Sequence, residues 1–398
     1  FKMILAAIGV VIYLYNKTIK RDATISHTLL GLTAIASLVS FAGFFSTVMN
    51  ETADYVLATY VVSMLVWYFS AYAVIQCIYT IHKKMDIVLV GNYLIAVCVI
   101  QCILALIIEN NHTFGTFVDT TFFSDLINVQ ELRMMKRIYG IGCALDVAGI
   151  RFSCIEIILV YILIKKAESI TTTHSTLYWI AFIVILLIGS MISRTTSVGA
   201  IVAMIFFIIF IGKKYGPETP RAVLYSLVTL LLVAGIAILI AVSNPSFLKN
   251  FDKHLEFAFE GFYNYSRTGS FETHSTNILQ SMYHWPDSLK TWIYGDGLWY
   301  EDGHFYMFTD VGYIRFIYYF GMFGLISFIS FYIYATFAGR RLFPEDKILF
   351  VTLFIMNMIV WAKVSTDTFV VFAILLNAGE MISEKCLTFN KEDNNAFV

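Results

Sequence analysis

Eleven stretches of this chain are apolar for long enough to cross a lipid bilayer, whose core demands about 20 such residues per helix. They lie near 1–15, 26–48, 55–80, 87–108, 147–164, 175–192, 196–212, 222–242, 309–338, 347–362 and 367–383. Composition agrees: of 398 residues 59% are hydrophobic and only 14% charged, too few polar side chains to clothe a water-soluble globule. The chain therefore reads as an all-α polytopic membrane protein, surrounded by membrane lipids. A formal net charge of −1 with no basic patch excludes a nucleic-acid partner. The six cysteines are scattered, with Cys77, Cys98, Cys102 and Cys154 inside apolar runs, and form neither a disulfide framework nor a CxxC metal site.

Lysines and arginines set the expected sidedness. Lys17, Lys20 and Arg21; Lys83 and Lys84; Lys165 and Lys166; Lys213, Lys214 and Arg221; and Arg340, Arg341 and Lys347 fall on alternate loops, and such charge marks the cytoplasmic side. The first visible span then runs from outside to inside. A chain that opens on Phe1 is expected to have lost an upstream helix, giving twelve spans in the intact protein with both ends inside. On the opposite side lie two long loops, about 109–146 and 243–308, longer than connectors in a compact bundle need. With no internal repeat, no low-complexity tract and only five prolines, residues 1–398 read as one membrane domain with elaborated outer loops.

Those outer loops and helix ends carry arginine where positive charge is usually depleted: Arg133, Arg137, Arg151, Arg194, Arg267 and Arg315. A single arginine could snorkel to headgroups or pair with a carboxylate. As a set they point to an anion site, because a guanidinium stays charged in low dielectric and grips phosphate oxygens with two parallel hydrogen bonds. At an outer membrane face, a lipid-linked pyrophosphate is the anion that several arginines would suit. The second loop also interleaves aromatics with Asp, Glu, His and Gly; Trp285, Trp292 and Trp299 offer flat faces for sugars or, equally, an interfacial belt.

The motifs "SRTTSVGAIVAMIFF" at 193–207, "YGDGLWY" at 294–300 and "TDVGYIRFIYYFGMFG" at 309–324, in that order, resemble the Wzy-type O-antigen and capsular oligosaccharide repeat-unit polymerases. The likeness in topology covers nearly the whole chain and the motifs about a fifth of it. The resemblance implies an inverting, metal-independent glycosyltransferase of GT-C-like architecture, in the bacterial inner (cytoplasmic) membrane with its active site facing the periplasm. It would join repeat units carried on undecaprenyl pyrophosphate in lipopolysaccharide or capsular polysaccharide biosynthesis, use no cofactor, and work with a chain-length regulator, a polysaccharide co-polymerase. The related O-antigen ligases place a histidine just before the helix after the long loop; here Asp310 stands there, with His304 earlier, which favours polymerase over ligase.

In such a reaction an acceptor hydroxyl attacks the anomeric carbon of the donor and undecaprenyl pyrophosphate leaves. The protein must neutralise the pyrophosphate and hold two long substrates in line. Arg194, Arg267, Arg315 and Arg151 are the candidates for the charge; Arg137, Trp292, Asp296, Trp299 and Tyr313 for substrate contacts; Glu272, His274 and Asp310 for the base. Glu272 and His274 follow Arg267 so closely that one loop could unite base and clamp, while Asp310 could equally cap the helix it precedes. No metal is expected: His274, His284 and His304 are widely spaced, and "YEDGH" at 300–304 reads as a loop turn. Glu156, alone in an apolar span, is expected to pair with a neighbouring helix or line a lipid-carrier groove. A flippase would also bind pyrophosphate, but repeat symmetry and Gly- or Pro-broken helices, which mark transporters, are not visible.

Overall fold

The structure is a computed structural model that describes residues 1–19, 24–122, 137–215, 252–270 and 273–395, together with positions 223, 225 and 228. It is overwhelmingly helical, and the described strands are two dipeptides, Tyr300–Glu301 and His304–Phe305. Among the described residues seven helices are long and apolar enough to cross a membrane: Lys2–Ile19, His27–Met49, Tyr60–His82, Ile87–Asn110, Leu145–Lys165, Thr172–Ile192 and Gly312–Leu342. The chain is an all-α, multi-pass membrane protein. Of the other four expected spans, those at 196–212 and 347–362 correspond to shorter apolar helices, that at 367–383 to Phe369–Asn395, which turns polar in its second half, and that at 222–242 lies almost wholly outside the described residues. The helices group into two compact units, residues 1–90 with 278–398, and residues 91–277.

In the first unit the long helix Gly312–Leu342 packs on His27–Met49, Lys347–Trp361 and Phe369–Asn395. Its inward face is aromatic, and Phe316, Phe320, Phe328, Phe331, Tyr332, Trp361 and Phe369 are all fully buried. At 1.5 Å per residue its 31 residues would reach about 46 Å, well beyond a bilayer core of about 30 Å. The helix does not run straight through: Phe320 (φ −134°, ψ 15°) and Gly321 (φ 66°, ψ −169°) interrupt it. Residues 294–297 lie against the break. The Asp296 amide donates to the Tyr318 carbonyl at 2.6 Å and the Gly297 amide to that of Tyr319 at 3.0 Å, while Ser46 Oγ also donates to Tyr319 at 2.7 Å. The backbones approach so closely that a Cβ on Gly295 would fall 2.4 Å from the Tyr319 oxygen, and one on Gly321 2.3 Å from the Ile293 oxygen. "YGDG" and "YFGMFG" are thus two halves of one lock. The expectation of no glycine-broken helix is corrected here: Gly321 supplies a positive φ that another residue would adopt only under strain.

The second unit is centred on Leu145–Lys165, nearly all of which is buried, flanked by Thr172–Ile192 and Thr195–Tyr215. Small residues let the helices touch: a Cβ on Gly199 would lie 2.2 Å from the Ser153 Cβ, and one on Gly149 2.5 Å from Ser193 Oγ. Glu156 in the buried helix is fully enclosed, and among the described residues neither carboxylate oxygen has a hydrogen-bond partner. Among the described residues the expected pairing with a neighbouring helix is not made.

Candidate functional site

Arg194 occupies the one-residue gap between Ser193, which ends helix Thr172–Ile192, and helix Thr195–Tyr215. Asp146, in the first turn of the buried central helix, accepts from Ser193 Oγ at 2.7 Å and from Thr195 Oγ1 at 2.6 Å. Both neighbours of Arg194 are therefore pinned by one carboxylate, which fixes where the arginine points. Its Nε donates to the Phe257 carbonyl at 2.8 Å, its Nη2 pairs with Glu260 at 2.6 Å, and its guanidinium stands 4.3 Å from the Phe257 ring centre. Burial lowers its pKa from the ordinary arginine value, Glu260 counters that, and Arg137 adds to the lowering; a guanidinium remains charged through such a shift.

Arg137 approaches the same ring, 5.0 Å from its centre. Among the described residues no carboxylate lies within ion-pairing distance of it, and its Nε is buried without a hydrogen-bond partner. It lines a pocket of about 210 Å³ with Ile108, Glu109, His112, Tyr139, Lys253 and His254. Glu109 Oε1 accepts from Lys253 at 3.1 Å and from His254 at 3.0 Å, and His254 is buried. Among the described residues of the lining, two permanent cations and two imidazoles thus meet a single carboxylate, already shared between Lys253 and His254. The pocket can take up an anion.

Arg315 belongs to the first unit and is spent differently. Nη1 donates to Ser365 Oγ at 2.7 Å and Asp310 Oδ1 at 3.3 Å, and Nη2 to the Trp299 carbonyl at 3.3 Å. The guanidinium lies between aromatic rings, 3.9 Å from the centre of Trp299 and 3.6 Å from that of Phe305. It holds the 295–310 loop onto the long helix. Lysine would keep the charge but lose the planar fork and the stacking, so Arg315→Lys is expected to cost about 2 kcal/mol of stability, the scale of lost hydrogen bonds to charged groups. Thermal unfolding in detergent checks this, with the exposed Arg267→Lys, expected to be silent, as the control.

The remaining predicted residues are dispersed. Asp310 does not occupy the N-cap, which is Val311 and has no side-chain cap, so the expected capping role is replaced by the contact with Arg315. Arg267 is exposed and pairs with Glu256 at 2.9 Å; Glu272 and Arg133 lie outside the described residues, and His274 opens helix His274–Ser281, its side chain not among those described. Arg151 is half-buried in the second turn of the central helix. Trp292 stacks on Trp285 and donates Nε1 to the Pro286 carbonyl at 2.8 Å. Trp299 is buried beneath Arg315, and Tyr313 donates to the Met358 carbonyl at 2.8 Å. Asp296 accepts from Thr291 Oγ1 at 2.8 Å and from Tyr306 at 3.4 Å; burial and then Asp296 push the Tyr306 phenol up to about 12, so it stays a donor. The "YEDGH" turn is a tight hairpin with Asp302 and Gly303 at positive φ, 48° and 81°. Among the described residues no three His, Cys, Asp or Glu side chains gather as metal ligands.

Sequence reasoning selected Arg137 and Arg194 but missed Glu109, His112, Lys253, His254 and Phe257, which complete their surroundings. Only their placement at the edges of the two long outer loops hinted at them. Searches against family models, curated proteins and solved structures return no match to this chain.

Proposed function

We propose that this protein transfers glycan from a lipid pyrophosphate donor, as an inverting, metal-independent polymerase of undecaprenyl-pyrophosphate-linked repeat units at the periplasmic face of a bacterial inner membrane. The observation that carries this reading is Arg137: a guanidinium without a carboxylate partner among the described residues, in a polar pocket with Lys253 and His254. A charge left unanswered by the protein favours a ligand that answers it. The pyrophosphate of the donor occupies the pocket against Arg137 and Lys253. The acceptor hydroxyl forms the new bond to the anomeric carbon as the bond from that carbon to the pyrophosphate oxygen breaks. His254, held by Glu109, accepts the hydroxyl proton, and fixed cations stabilise the departing pyrophosphate. His254 thereby takes the place of Glu272, His274 and Asp310 as first candidate for the base.

Incubating the purified protein with a lipid-linked repeat unit in excess EDTA tests the proposal: a ladder of products is expected. A single product on lipid A core would mean the ligase reaction, and restoration by Mg²⁺ would refute metal independence. The broken helix favours one other reading, a lipid-linked oligosaccharide flippase, since transporters use such breaks to expose carbonyls to ions. Here, however, the freed carbonyls of Tyr318 and Tyr319 are taken by Asp296, Gly297 and Ser46, which weighs against that use.

A further inference from the structure

We propose that the short helix Leu289–Tyr294 is a membrane anchor, lying on the lipid surface at the headgroup boundary and fixing the 282–308 loop to the bilayer. The argument begins with helix His27–Met49. Its 23 residues span about 34 Å, so its ends reach the edges of a bilayer core. Phe41 and Phe45 project from it, exposed and stacked at 6.2 Å, and Phe45 stands one turn from its C-terminal end. On that ring Tyr294 sits edge-on at 5.9 Å. The short helix is thereby held at the level where the neighbouring span leaves the hydrocarbon.

Its own side chains fit that level. Leu289 and Ile293, four residues apart and so on one face, are 74% and 54% exposed. Thr291, on the opposite side, is buried and tied to Asp296. Lys290 lies 5.9 Å from the Tyr294 ring centre and 3.6 Å from Asp296. Next to the helix, Trp285 is half exposed and stacks on Trp292 at 5.7 Å. Tryptophan, tyrosine and lysine around an apolar face are the composition of a membrane interface. Exposed apolar side chains thus stand on both sides of the Phe45–Tyr294 contact: Phe41 and Phe45 on a membrane-spanning helix, Ile293 and Leu289 on the short one. Lipid is therefore the occupant that continues the surface already in contact with it. This placement is independent of the reaction proposed above.

The test uses the full-length protein in phosphatidylcholine liposomes, with Cys77 and Cys386 replaced by Ser and a cysteine introduced by Ile293→Cys or Leu289→Cys to carry an environment-sensitive fluorophore. Both positions are exposed, so neither substitution disturbs packing. Asp302→Cys, at the hairpin tip, is the solvent reference. The expected result is blue-shifted emission at 289 and 293 and strong quenching when the lipid acyl chains are brominated, with the probe at 302 unquenched. Probes at 289 and 293 that behave like that at 302, or that blue-shift without quenching because protein covers them, would overturn the proposal.

Discussion

Replacing Arg137 with Gln is expected to slow polymerisation by about 10²–10³-fold, the loss that follows removal of one preorganised donor from a developing negative charge. Folding should be spared, because Arg137 forms no ion pair among the described residues and its guanidinium lies 5.0 Å from the centre of the Phe257 ring. Product ladders timed against donor consumption give the rate, and thermal unfolding gives the control. Arg194→Lys should separate from it. Arg194 donates to the Phe257 carbonyl and pairs with Glu260, so its loss should loosen the Asp252–Thr268 segment as well as the activity. Equal activity in Arg137→Gln and the wild type would remove Arg137 from the chemistry.

The second large effect is structural. Gly321→Val should prevent the first unit from holding its fold, through two independent costs. The φ of 66° is strained for any residue with a Cβ, by about 1–3 kcal/mol. The added carbon would also lie 2.3 Å from the Ile293 carbonyl oxygen and 2.4 Å from the Tyr294 nitrogen, both backbone atoms that cannot swing aside. The strain alone is a sizeable share of the stability of a typical domain, about 5–15 kcal/mol, and the backbone clash adds to it. Gly303→Ala, at the hairpin tip with φ 81° and open space around it, pays only the first cost. Folded yield in mild detergent should fall sharply for the one and little for the other; comparable yields would mean that the 294–297 strap does not close on the helix break.

Helical, membrane-spanning character was legible because apolar runs of bilayer length have no other stable use. The break at Phe320–Gly321 was hidden inside such a run, since hydropathy is blind to backbone direction. A glycine in "YFGMFG" and a helix of 31 residues were the available signals, and neither says that residues 294–297 would close the gap. The outer arginines were legible as a depleted residue type in an unusual place, but not their fates. Arg315 looked like an anion ligand until its donors were seen to be used by Ser365, Asp310 and Trp299. The pocket around Arg137 draws Glu109 and His254 from positions 145 residues apart, and no local spacing encodes a contact of that range. Burial is what distinguishes His254 from His112, His284 and His304, and burial is a property of the fold.

The most direct measurement is the binding of undecaprenyl pyrophosphate, without sugar and therefore unable to react, to the purified wild type, Arg137→Gln and Lys253→Gln in EDTA. If the pocket holds the pyrophosphate through fixed cations, the wild type binds and each variant binds at least about tenfold more weakly, the equivalent of one lost charge-assisted contact of about 1.4 kcal/mol. Unchanged affinity in both variants, or no binding by the wild type, would contradict the account.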